Sequence, residues 1–115
     1  MDAHDHLPLA PRDLLILAVL SEAPLHGYGI IRAVEERSES GVVLDPANLY
    51  RVLRRMQRSD WIRELPEADD EGGRRRTYAI TRSGEAVLRA EVARLERLID
   101  RTRPALATRG GGRRS

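Results

Sequence analysis

The sequence contains no cysteine, no phenylalanine and, behind a charged fraction of 33%, no lysine. The absence of thiols excludes disulfides, thiolate zinc sites and a cysteine nucleophile, and it leaves an intracellular home open. Aromatic residues are limited to one Trp and three Tyr while 41% of the chain is hydrophobic, so the core has to be built from Leu, Ile, Val and Ala. All 20 basic residues are Arg, and against 18 acidic residues they leave a formal net charge of only +2. That balance neither announces nor excludes a nucleic-acid partner, so the distribution of charge along the chain has to decide. Long apolar runs are also absent: the densest, "LLILAVL" from Leu14 to Leu20, falls far short of the roughly 20 residues a membrane span needs. The start, "MDAHDHLPLA", has neither a basic lead nor an apolar stretch of the signal-peptide kind. A cytoplasmic protein with no membrane partner is expected.

Histidine is scarce as well. His4 and His6 form an H-x-H near the start and His26 stands alone, so no metal and no cofactor is expected. No spacing of Ser, His and an acid suggests a triad, and nothing assembles a nucleophile with a base, which argues against an enzyme.

What is present is helical punctuation. Pro11 suits a first turn and Asp13 complements the positive end of a helix dipole, after which "DLLILAVLSEA" is apolar on nearly all sides, as a buried first helix would be. Past "APLHGYG", Ile30, Ile31 and Val34 give a second, amphipathic helix. Asp45 and Pro46 supply an N-cap and a preset first turn for a third helix, "DPANLYRVLRRMQR". "WIREL" and "RRTYAIT", joined by the turn-forming "PEADDEGG", predict a β-hairpin with Trp61 anchoring it to the helices. From an N-cap at Thr81, a helical period runs for about six turns until Pro104, and the Gly- and Arg-rich remainder has little to bury.

Three helices and a hairpin follow the winged helix-turn-helix order, so the predicted fold class is mainly α with a small β-hairpin and a long C-terminal helix. The chain is expected to divide into a flexible segment (residues 1–10), a winged-helix DNA-binding domain (11–81), a dimerisation helix (82–103) and a disordered tail (104–115).

On a helical wheel, Leu49, Val52, Leu53 and Met56 of the third helix form the i, i+3, i+4, i+7 stripe of a core face, and Arg51, Arg54, Arg55 and Arg58 fall opposite. By itself an arginine face most often only keeps a helix in water. The winged-helix order changes that balance, because this is the helix that enters the major groove while the hairpin touches flanking backbone. Arg74, Arg75 and Arg76 then place a second basic cluster beside the hairpin tip, although they could equally neutralise Asp69, Asp70 and Glu71. Those acidic residues would be repelled by phosphates, so the tip is expected to bend away from DNA.

"LLILAVLSEAPLHGYGIIRAV", "NLYRVLRRMQRSDWI" and "GGRRRTYAITRSGEAVL", in that order, resemble the PadR-type bacterial transcription regulators, over residues about 13 to 103. The resemblance implies a winged helix-turn-helix with a C-terminal dimerisation helix that binds operator DNA, usually as a repressor. It places His26, Gly27 and Tyr28 in the family signature that opens the second helix, and Tyr50 at the recurrent tyrosine of the recognition helix. Arg76 and Tyr78 match the wing's basic and aromatic positions, and Thr81 and Gly84 the start of the last helix. The family's usual "GT" before "LY" or "IY" is Ala47 and Asn48 here, and its "EGLI" is "SDWI". Asn48 could read adenine with a bidentate contact or help cap the helix. The expected DNA-contacting set is therefore His26, Tyr28, Ala47, Asn48, Tyr50, Arg51, Arg54, Arg55, Arg74, Arg75 and Arg76. Asn48 and Arg51 are assigned to bases, with Tyr50, Arg54, Arg55 and Arg76 chiefly on phosphates.

In the last helix, Leu88, Val92, Leu95 and Ile99 are spaced four, three and four, and Val87, Ala93 and Leu98 widen the seam. A seam this long has more apolar surface than so small a core can cover, which predicts a homodimer rather than a helix folded back on its own domain. Some relatives enclose a flat aromatic compound between aromatic side chains of the dimer; the absence of aromatics in this helix argues against that pocket, and an inducer is left unassigned. The competing reading is a winged-helix protein-interaction module that uses the same seam and no DNA.

Overall fold

The computed structural model describes residues 2–66 and 76–112, the side chains of 108–112 excepted. A 3₁₀ turn (Ala3–His6) leads into α1 (Pro11–Glu22), β1 (Leu25–His26), α2 (Gly27–Arg37), α3 (Pro46–Arg58), β2 (Ile62–Leu65), β3 (Thr77–Ile80) and α4 (Arg82–Gly112). The three helices, the hairpin and the long last helix stand where the sequence puts them. The hairpin strands pair antiparallel with Ile62 opposite Ile80 and Leu65 opposite Thr77. An unforeseen third strand, β1, adds to the other edge of β3, with Leu25 opposite Tyr78 and His26 opposite Thr77, giving the order β1-β3-β2. Two residues between a proline and a glycine carry no alternation to read, so nothing in the sequence announced it.

The core is aliphatic, as the composition requires. Ile16, Leu17 and Leu20 of α1, Ile30 and Val34 of α2, and Leu49, Val52, Leu53 and Met56 of α3 converge, with Trp61, Ile62, Tyr78 and Val87 closing it from the wing and α4. Each such side chain taken out of water contributes about 1.5–3 kcal/mol before entropy. Leu49 and Met56 are fully buried, and the stripe on α3 is the face that binds this helix to the rest.

One junction ties α3, β2 and α4 together. α3 ends with Asp60 in the left-handed region (φ 65°), the Trp61 N–H bonding to Met56 O at 2.9 Å and the Asp60 N–H to Gln57 O at 3.0 Å, the Schellman pattern that satisfies the last carbonyls. The carbonyls of Asp60 and Trp61 then accept from the Thr81 hydroxyl and the Thr81 N–H. Thr81 in turn caps α4 by accepting from the Gly84 N–H at 3.0 Å. A β-carbon at Gly84 would lie 2.1 Å from the Trp61 carbonyl oxygen, so only glycine lets the two backbones meet.

Two terminal expectations need correcting. Residues 1–10, read as flexible, carry Ala3, Leu7 and Leu9 packed against the core, with the His6 ring edge-on to Trp61 at 5.2 Å. The Leu9 N–H bonds to Oε2 of the buried Glu91 at 2.9 Å. A carboxylate taken out of water needs such partners, and Arg94 supplies the rest through Nε and Nη2 at 2.6 and 2.9 Å. At the other end, α4 runs through Pro104 to Gly112 instead of stopping at 103. A proline inside a helix removes one hydrogen bond and need not terminate it.

Candidate nucleic-acid interface

α3 starts at Asp45, whose side chain accepts from the Asn48 N–H, with Pro46 in the first turn, as the sequence predicts. The burial stripe sets which residues face outward. Ala47, Tyr50, Arg51, Arg54 and Arg58 are exposed, and Asn48 is half-buried. Arg55 is the exception among the arginines. Its Nη2 lies 2.9 Å from Oδ2 of Asp13, a residue 4% exposed at the start of α1, and Arg12 approaches the other oxygen at 3.4 Å. Arg55, read as a phosphate contact, pairs with this buried carboxylate while its own side chain stays 43% exposed, because a carboxylate taken out of water needs a cation. Asp13, read as a helix-dipole residue, is that carboxylate.

Asn48 is engaged by the cap. Its side-chain Nδ2 donates to Asp45 Oδ2 at 2.7 Å while its backbone N–H donates to Oδ1 at 2.9 Å. These bonds hold the Asp45 carboxyl below its usual range, the Asn48 N–H being the largest cause.

His26, Tyr28, Tyr50 and Arg76 come from three separate stretches of chain, and the fold brings them together around one open groove of about 530 Å³, completed by Arg32 and Glu36. Tyr50 crosses from α3 to the start of α2, so close that a β-carbon at Gly27 would sit 2.7 Å from its hydroxyl. Gly27 therefore leaves the room that Tyr50 occupies. His26 Nδ1 lies 3.0 Å from the Thr77 hydroxyl, tying the front of α2 to the wing. Tyr28 is 69% exposed with the Arg32 guanidinium 5.8 Å from its ring centre, a cation–π pair at the groove's edge. At the base of the wing, Arg76 Nε is 3.6 Å from Glu64 Oε2, both groups being partly exposed, so the pair contributes little and leaves the guanidinium free to exchange partners. Burial first, and then the charge of Glu64, push the Tyr78 phenol upward, so it remains a hydroxyl. Arg74 and Arg75, with the acidic tip Asp69, Asp70 and Glu71, lie outside the described residues.

The seam on α4 divides. Leu88 packs against the core and Leu95 is half-buried, whereas Val92, Leu98 and Ile99 are 41%, 44% and 47% exposed and Leu106, further along, 70%. Glu91, buried between these positions, escaped the sequence reading because a Glu followed by Arg at i+3 looks like any exposed helix pair. Among the described residues no group of three or more His, Cys, Asp or Glu could hold a metal, and no helix is long and apolar enough to cross a membrane.

Three helices, a small sheet with α3 presenting an arginine face beside the wing, and a projecting last helix define a winged helix-turn-helix protein. The chain belongs to the transcriptional regulator PadR-like family, whose profile matches residues 16–90. This is a family of transcriptional regulators, not of enzymes. An uncharacterized 37.1 kDa protein in transposon TN4556 of Streptomyces fradiae is 36% identical over 88 residues, covering 76% of this chain and 24% of that protein, so the chain spans about a quarter of that relative. The solved PadR family transcriptional regulator of Eggerthella lenta is 27% identical with a TM-score of 0.64, over 86% of this chain and 87% of that one. Bacillus subtilis PadR in complex with operator DNA shares the fold at 20% identity and a TM-score of 0.65, over 75% of this chain and 48% of that one.

Proposed function

We propose that this protein is a sequence-specific DNA-binding regulator that acts in the cytoplasm as a homodimeric repressor on a palindromic operator. The carrying observation is the outward face of α3, where Arg51, Arg54 and Arg58 are exposed beside the groove shared by Tyr28, Tyr50 and Arg76. Planar guanidinium groups suit both phosphates and the guanine edge, and tyrosine hydroxyls donate to phosphate oxygens. In this reading α3 lies in the major groove, and Arg54, Tyr50, Tyr28 and Arg76 hold the backbone to either side. His26 steadies α2 against the wing. The solved operator complex of Bacillus subtilis PadR supports the reading by its shared fold.

The homodimer pairs two chains along the seam of Leu88, Val92, Leu95, Leu98 and Ile99, and the exposure of Val92, Leu98 and Ile99, which such pairing would cover, supports it. A two-fold pair places two copies of α3 about one helical turn apart, so the selected DNA has inverted half-sites roughly 34–36 Å apart. Selection of bound sequences from a random duplex pool, with light scattering on the free protein, tests the proposal. An enriched inverted repeat and a dimeric mass are expected. A monomer that enriches no sequence would favour instead an interaction module whose seam binds another protein.

A further inference from the structure

The cap of α3 reaches beyond closing the helix. Asp45 uses both carboxylate oxygens on one residue, Oδ1 on the Asn48 N–H at 2.9 Å and Oδ2 on the Asn48 side-chain Nδ2 at 2.7 Å. An ionised carboxylate only accepts, so the amide atom facing it has to be the nitrogen, and the direction of the Asn48 amide follows from chemistry alone. One Nδ2 hydrogen is committed to Asp45. The second hydrogen and the carbonyl Oδ1 remain, on a residue in the first turn of α3, next to exposed Ala47 and one turn before exposed Arg51.

We propose that Asp45 is a positioning residue for base recognition, holding the Asn48 amide so that it offers one donor and one acceptor to the N7 and N6 edge of an adenine. The inference rests on the DNA-reading role of α3 proposed above. Adenine alone sets an acceptor beside an amino donor in the major groove; guanine shows two acceptors, cytosine a single amino group, and thymine a carbonyl beside a methyl. Capping and reading, which compete when both are asked of Asn48, are thereby divided. Asp45 caps, and Asn48 reads with its torsion and flip already chosen, so less rotamer freedom is lost on contact.

The test is Asp45→Asn in the whole chain. Asparagine is an equally good N-cap, and its oxygen can still accept the Asn48 N–H. The group facing the Asn48 side chain then becomes a donor, which turns that amide round and leaves its hydrogens outward, the complement of guanine N7 and O6. Wild type, Asp45→Asn, Asp45→Ser and Asn48→Ala are put through the same selection of bound duplexes, with thermal melts and salt titrations alongside. In wild type, one position of each half-site is expected to favour adenine by at least roughly tenfold. Asp45→Asn moves that position toward guanine. Asp45→Ser, which keeps a cap but frees the amide, evens it out, and Asn48→Ala abolishes it. The other positions, the salt slope and the melting midpoint stay nearly unchanged. An adenine preference surviving both Asp45 variants overturns the positioning role, and so does the absence of any position that responds to Asn48→Ala. If wild type enriches no DNA at all, the reading of α3 fails first, and the two failures are separate.

Discussion

α3 and α4 carry the same kind of pattern, an apolar stripe opposite charges, and the structure treats the two stripes differently. On α3 all of Leu49, Val52, Leu53 and Met56 are buried, and the unspent face is the charged one. On α4 the stripe is spent only near its start, where Val87 is 2% exposed, while Leu98, Ile99 and Leu106 stand in water. What is left over differs in chemistry: guanidinium groups on α3, aliphatic surface on α4. A helical period therefore tells which residues share a face, and only the packing tells which face is still available.

The contrast yields predictions of decreasing size. Replacing Arg51 and Arg54 together by alanine should cost DNA affinity at least about a hundredfold at moderate salt and flatten the salt dependence, since each phosphate-bound cation contributes about 0.9 to the slope. Fluorescence anisotropy on a selected duplex reads both, and unchanged binding would sink the assignment of the α3 face. Leu98→Glu with Ile99→Glu, on the α4 face, should split the dimer into folded monomers by light scattering. The loss of affinity should then appear only on DNA carrying both half-sites; a dimer that persists would show the seam is idle.

Arg55→Ala sharpens the comparison within α3 itself. It should lower stability by about 1–2 kcal/mol, because Asp13 keeps only the more distant Arg12. Its effect on DNA binding should be smaller than that of Arg54→Ala, and equal losses would contradict the internal role. The smallest expected effect is at Glu91. Hydrogen bonds from Arg94, then the Leu9 amide, outweigh burial and hold its carboxyl below the usual range. The stability it supplies is therefore complete above the ordinary carboxylate range and is lost as the pH falls through the lowered one. Thermal midpoints of wild type and Glu91→Gln should differ near neutrality and converge in acid; parallel curves down to the lowest pH would argue against this linkage.

Much of the architecture is legible in the residues. Asp45 and Pro46 open α3 as caps should, Thr81 opens α4, and the i, i+3, i+4 spacing picks out the buried stripe without error. Legibility ends where a residue's role depends on a distant partner. Asp13 and Arg55 lie 42 positions apart, and Leu9 and Glu91 lie 82 apart, so each looks like surface charge or loose chain until the fold joins them. β1 is too short for any periodicity. Of the interface, the family resemblance singles out His26, Tyr28, Tyr50 and Arg76 one by one, whereas their meeting around one groove, and the room that Gly27 leaves for the Tyr50 hydroxyl, are visible only in three dimensions.

The contact of Gly84 with the Trp61 carbonyl makes the root of α4 a stiff bearing rather than a swivel. A helix of 31 residues acts there as a lever. At 1.5 Å per residue it extends about 46 Å, so a tilt of only about 5° at the bearing would swing its far end by roughly 4 Å. That exceeds the roughly 3.4 Å between neighbouring base pairs. In the proposed dimer, joined along such levers, a methyl group at Gly84 would shift the spacing between the two copies of α3 and so the length of DNA the pair can span.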